Sequence, residues 1–202
     1  MKLDILVLAA HPDDAELGCG GTIAKYVAEG KKVGIIDFTR GELGTRGTPE
    51  TRKAEADASA SILGLSVRDN LDFKDGFFVN DEAHQKQVIR HIRKYQPEIV
   101  LANAVTDRHP DHGKGASLAF DSCFYSGLAK VKTEWDGKPQ EAWRPKAIYH
   151  YIQSQYITPD VVLDVSAYWE KKMEAVKAFK SQFYDPNKIG RASCRERVCS
   201  VV

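Results

Sequence analysis

The chain has 202 residues, 43% hydrophobic and 28% charged, which is enough to bury one sizeable core and fits one domain of roughly 100–200 residues. Its 29 Lys and Arg nearly cancel its 28 Asp and Glu. The chain therefore lacks the global basic field that draws proteins to nucleic acid or anionic membranes, and a small neutral or weakly anionic molecule is the expected partner.

The first apolar run, residues 5–10, is too short for a signal-peptide core or a membrane span and is cut off by His11-Pro12-Asp13-Asp14. A cytoplasmic protein without a membrane partner is expected. Residues 3–10 read as a buried strand, 16–29 as a helix closed by Gly30, and 33–39 as a second strand. A helix over 49–63 has Pro49 in its first turn and Gly64 beyond its end. A short strand over 68–73, a helix over 81–95 and a strand over 98–103 follow, then a helix over 112–125. Between 127 and 145 the periodicity fades, and Trp135, Trp143 and the Asp136-Gly137 turn predict a surface excursion. Strands over 146–153 and 160–165 and a capped helix over 166–180 complete the pattern.

Apolar β-rich runs alternating with amphipathic segments predict an α/β fold: one domain over residues 1–187 with a Rossmann-like, mostly parallel sheet flanked by helices. Residues 188–202 carry no period and read as a cloning or read-through string or as a disordered basic tail, so they are set aside. Cys19, Cys123, Cys194 and Cys199 show no CxxC spacing, which disfavours a cysteine-bound metal. Gly18-Cys19-Gly20-Gly21 misses the GxGxxG spacing of a dinucleotide loop and predicts close helix packing around a small buried cysteine. His84, His91 and His150 have no carboxylate partner in view and read as structural.

Two clusters carry chemistry. His11-Pro12-Asp13-Asp14 ends the first strand, where an α/β sheet places its ligand crevice, and His109-Pro110-Asp111-His112 follows the strand at 98–103. Either cluster alone could be a turn that caps a helix. If the two strands are parallel neighbours, His11, Asp14 and His112 form a three-ligand metal site with an open position, and Asp13 is free to act as a base. Among the strand-end arginines, Arg52 and Arg108 are the best placed to take a carboxylate.

These motifs, with Glu16 and Gly18, resemble the LmbE-like (PIG-L) family of zinc-dependent N-acetylglucosaminyl deacetylases. Thr39-Arg40-Gly41-Glu42, Thr51-Arg52-Lys53-Ala54-Glu55, Asn103-Ala104 and Ser181-Gln182-Phe183 extend the likeness over residues 1–187. The wording is most similar to the bacillithiol-pathway branch, which deacetylates N-acetylglucosaminyl malate. The resemblance implies a zinc ion, or another divalent metal, on His11, Asp14 and His112, with Asp13 as general base. It further implies a protonated His109 stabilising the tetrahedral intermediate, Asp111 orienting His109, and Arg52 and Asp75 contacting the sugar. It also implies a native chain some tens of residues longer and assembly as a homo-oligomer. Other readings left open are a deacetylase of another N-acetyl sugar or chitooligosaccharide, a Rossmann-like nucleotide enzyme, and a non-catalytic sugar-binding module.

Overall fold

In the computed structural model, which describes residues 1–183, every residue of strand β1 (Ile5–Ala9) is buried. The cause is its position in a five-stranded sheet ordered β3 (Val67–Phe73), β2 (Val33–Thr39), β1, β4 (Ile99–Ala102), β7 (Ala147–His150). All four neighbouring pairs are parallel. Leu6 and Leu8 join one core with Phe38, Ile92 and Leu118, while Ile5, Val7 and Ala9 join a second with Ile23, Ile35 and Ala175. A strand covered on both faces needs apolar side chains on both, which is why it reads as an unbroken apolar run rather than an alternation.

Helices α3 (Glu82–Tyr95) and α4 (Pro110–Ser126) cover the first face, and α1 (Asp14–Ala28), α2 (Pro49–Leu63) and α5 (Trp169–Lys177) the second. Local signals set the ends of α2 and α3 as expected. The Thr48 hydroxyl accepts the Thr51 N–H beside Pro49, Gly64 closes α2 in the left-handed region, and Asp81 caps α3 through the His84 N–H. Helix α1 starts at Asp14, earlier than expected, and is kinked at Cys19. The glycines there give close approach: a Cβ on Gly18 would overlap the Tyr151 ring, and one on Gly21 would press on Val165.

The excursion at 127–145 carries a small hairpin, β5 (Glu134–Trp135) and β6 (Lys138–Pro139), turning at Asp136 and Gly137. Trp135 lies beneath the Arg90 and Lys94 cations of α3. The strand expected over 160–165 does not form. Val161 and Val162 are exposed there and the segment pairs with no strand among the described residues, so the run has no ladder to join, although Val165 at its end is buried near Gly21. The helix expected over 166–180 is interrupted: a 3₁₀ turn (Ser166–Tyr168) precedes α5, and α6 (Lys180–Phe183) is a separate turn. Residues 188–202 and the boundary at 187 lie outside the described residues. Among the described residues no helix is long and apolar enough to cross a membrane.

Strand β1 lies between β2 and β4, so the chain leaves it in one direction toward β2 and β3 and later returns on its other side. At such a reversal the loops after the two strands diverge and leave a crevice at their carboxyl ends. The pairing of Leu8 with Ala102 places both His/Asp clusters at that crevice.

Candidate metal and active site

The turn after β1 delivers His11, Asp13 and Asp14, and the loop after β4 with the first turn of α4 delivers Asp107, His109, Asp111 and His112. The three imidazoles converge: the His109 ring lies 4.8 Å from His11 and stacks on His112 at 5.0 Å, centroid to centroid. Asp14 bridges the outer two, with Oδ2 3.4 Å from His11 Nδ1 and Oδ1 3.1 Å from His112 Nε2.

Asp13 has φ 122° and ψ −23°, a region that L residues avoid and that costs on the order of 1–3 kcal/mol. Arg52, from α2, holds this turn. Its Nη2 donates to the Pro12 carbonyl and lies 3.1 Å from Asp13 Oδ2, and its Nη1 reaches the Gly41 carbonyl at 3.5 Å. The arginine expected to contact a sugar is thus buried and engaged with the turn, leaving Nε as its buried unpartnered atom.

Asp75 also differs from the role the resemblance implied. It is buried, with Oδ1 3.0 Å from His11 Nε2 and Oδ2 accepting the Leu43 N–H at 2.9 Å, so it lies behind His11 and orients the ring. The Asp111 carboxylate does not reach the His109 ring as expected. It accepts from the Gly76 N–H and Lys114 Nζ and lies 3.4 Å from His11 Nε2; the link to His109 runs instead from the Asp111 N–H to His109 Nδ1, at 3.2 Å. The cause is local, because His109 is the N-cap of α4 and its ring must take up a free helix N–H. Arg108 is exposed beside this turn.

Residues to which the sequence assigned no role complete the site. Asp107 Oδ1 lies 3.1 Å from His112 Nδ1 and accepts the His109 N–H at 3.0 Å. Asn103 and Gln153 both donate to the Asp14 carboxylate. None of the three follows a ligand-like spacing, so only tertiary structure could reveal them.

Burial disfavours a charged carboxylate at Asp13 and, with Asp14 nearby and against the pull of Arg52, pushes its pKa up to about 7. Burial also works against Asp14, but His112 and His11 outweigh it and hold that carboxyl well below the usual range. In His11 and His112 burial favours the neutral ring, yet the surrounding carboxylates prevail and raise both. His109 moves the other way. Burial and the like charges of His11 and His112 lower it, and with Nδ1 accepting the Asp111 N–H the ring carries its proton on Nε2.

These residues fit a divalent metal on the chemistry of the donor set. With Nδ1 donating to Asp107, a neutral His112 would turn its Nε2 lone pair on the Asp14 oxygen 3.1 Å away, and a cation between them removes the repulsion. With His11 and His112 neutral, the carboxylates of Asp14, Asp75, Asp107 and Asp111 outnumber the neighbouring Arg52 and Lys114, so a bound cation would be balanced. Among the described residues, ligand atoms of His11, His109 and His112 lie within 4.8 Å of one another, as do those of His11, Asp75 and Asp111. His11 is common to both sets.

The chain is also similar to known proteins. The family described as PIG-L, GlcNAc-PI de-N-acetylase, matches residues 6–123. The conserved protein TT1542 of Thermus thermophilus has a similar structure, with a TM-score of 0.84 and 40% identity over 90% of this chain and 80% of that one. Diacetylchitobiose deacetylase of Thermococcus kodakarensis is 29% identical over 189 residues, covering 89% of this chain and 70% of its own length. The 4-oxalmesaconate hydratase of Pseudomonas putida is 26% identical over 193 residues, covering 88% and 73%.

Proposed function

The chain belongs to the PIG-L family, and on that premise we propose that it hydrolyses the N-acetyl group of an N-acetylglucosamine conjugate, with a divalent metal, zinc first, on His11, Asp14 and His112. The observation that carries this reading is Asp13: a carboxylate beside the His/Asp cluster, held by Arg52 and poised near neutral pH. A binding module needs no such base, and a nucleotide enzyme needs no such cluster.

A metal held there would supply Lewis acidity toward the acetamide carbonyl and lower the pKa of a water toward about 7. Asp13 takes the proton of the attacking water and returns it to the departing sugar amine, since an amide nitrogen leaves poorly without a proton. His109, whose Nδ1 accepts the Asp111 N–H, keeps its proton on Nε2 and donates it as a hydrogen bond to the developing oxyanion. Asp75 and Asp107 keep His11 and His112 turned toward Asp14. Arg52 holds the Asp13 turn through the Pro12 carbonyl and the Asp13 carboxylate.

For the aglycone, N-acetylglucosaminyl malate is the first candidate, supported by the motif wording and by the exposed Arg108 next to His109, which can take a carboxylate. A chitooligosaccharide is the second, supported by the likeness to diacetylchitobiose deacetylase. The cytoplasm and a homo-oligomeric state belong to the same proposal. The test is a panel of N-acetylglucosamine, its malyl glycoside and diacetylchitobiose, assayed for free amine and acetate with and without a chelator. Metal-dependent release of both products supports the reading. No amine from any of them, together with hydration of 4-oxalmesaconate, would move the chain toward the hydratase relative.

A further inference from the structure

Gln153 lies beyond β7, outside the span matched by the family, yet its side chain reaches the centre of the site. Two side-chain amides form a closed arrangement around Asp14. Asn103 accepts the Ala10 N–H at Oδ1 (2.8 Å), so its Nδ2 faces Asp14 Oδ2 (3.1 Å) and Gln153 Oε1 (2.9 Å). Gln153 Oε1 also accepts the Ala104 N–H at 3.3 Å, which turns its Nε2 to Asp14 Oδ1 at 2.9 Å, with His112 Nε2 3.5 Å away. Backbone N–H groups cannot accept, so the ends of β1 and β4 dictate which end of each amide is oxygen; a flip would set donor against donor. Each oxygen of Asp14 is therefore held by a neutral donor that adds no positive charge to compete with a cation.

We propose that Gln153, braced by Asn103, is a positioning residue that fixes the rotation of the Asp14 carboxylate for metal binding. This rests on the metal reading above. Without the Gln153 amide, Oδ1 keeps His112 Nε2 as its neighbour, a partner that the metal itself displaces. Gln153 also carries the sheet's edge into the site, because β7 pairs with β4 on the side away from β1 and the side chain spans back to the β1 turn.

Gln153→Met tests this, since it keeps an unbranched stem and removes the amide. Zinc affinity would be measured by chelator competition and coordination by the visible spectrum of the cobalt(II)-loaded protein. The expected result is a loss of about 10–100-fold in affinity, the range typical of groups that orient metal ligands, with a changed cobalt spectrum and an unchanged fold of the metal-free protein by circular dichroism. Parent-like affinity together with a parent-like cobalt spectrum overturns the proposal. Should the Met variant fail to fold, Gln153→Asn, which retains the amide but cannot reach Asp14 from the same backbone, decides by the same two readouts. A parent chain that binds neither zinc nor cobalt would instead refute the metal reading, and this inference with it.

Discussion

Asp107 Oδ1 lies 3.1 Å from His112 Nδ1, and this contact decides which nitrogen of the ring faces Asp14. Its other oxygen accepts the Ser154 N–H at 2.7 Å, so the carboxylate is anchored independently of the ring. Asp107→Asn keeps the shape but removes the charge and sets an amide against these donors. The expected outcome is zinc affinity lower by about 10–100-fold, read by chelator competition, with a small change in melting temperature. An unchanged affinity would show that the ring is oriented by packing alone.

Asp13→Asn should keep zinc and fold while losing turnover by about 10²–10⁴-fold, the usual worth of general acid–base catalysis. The Asn can still meet Arg52 through its carbonyl oxygen, so the buried guanidinium is not left without a partner. Steady-state kinetics with measured metal content separates the two effects. Activity within a few-fold of the parent would remove Asp13 from the mechanism.

The ligand set is tested by opposing substitutions. Asp14→Ala should abolish stoichiometric zinc after dialysis, whereas His109→Ala should retain it and lose rate, because Asp14 lies between His11 and His112 while His109 is tied to the α4 backbone. The reverse pattern, zinc kept without Asp14 and lost without His109, would select the three-histidine cluster instead.

The parallel sheet was legible because β1 is an unbroken apolar run, β2 is nearly one, and α2 and α3 carry their own caps. The His11 and His112 clusters were legible because each lies between such a run and the helix that follows it. The strand expected at 160–165 shows the limit: an apolar run specifies a strand only where a neighbour can pair with it, and sequence does not show the neighbour. Likewise Asp75 meets His11 across 64 residues, and Gln153 meets Asp14 across 139. Their partners are set by loop geometry, which no local pattern encodes. Arg52 stood out in sequence, but its engagement with the Pro12 carbonyl depends on how α2 packs beneath the turn.

Cys19 and Cys123 should resist alkylation in the native protein. Both are buried, and burial raises both thiols, that of Cys123 to about 12, so the reactive thiolate is scarce at pH 8 as well as sheltered. Iodoacetamide labelling followed by peptide mapping should find these two cysteines modified only after denaturation. Rapid native labelling of Cys19 would contradict its buried place in the α1 kink.

Gly18→Ala should destabilise the protein although alanine is the better helix former. In an unconstrained helix the change would gain about 1 kcal/mol. Here the added methyl would overlap the Tyr151 ring, which is itself buried and is held by its N–H on the Ala102 carbonyl at 2.9 Å. A rigid ring cannot swing aside as the end of a lysine could, and overpacking of this kind costs typically about 1–3 kcal/mol. The clash should therefore outweigh the propensity gain and lower the melting temperature by several degrees, since each kcal/mol is worth about 2–4 °C in a domain of this size. Because Tyr151 precedes Gln153 closely in the chain, any shift of the ring would also loosen the grip on Asp14, and metal affinity should fall with stability. Tyr151→Leu in the same chain makes room for the methyl and should recover part of the stability lost by Gly18→Ala. A Gly18→Ala protein that melts at or above the parent would show that the glycine is not there to admit Tyr151.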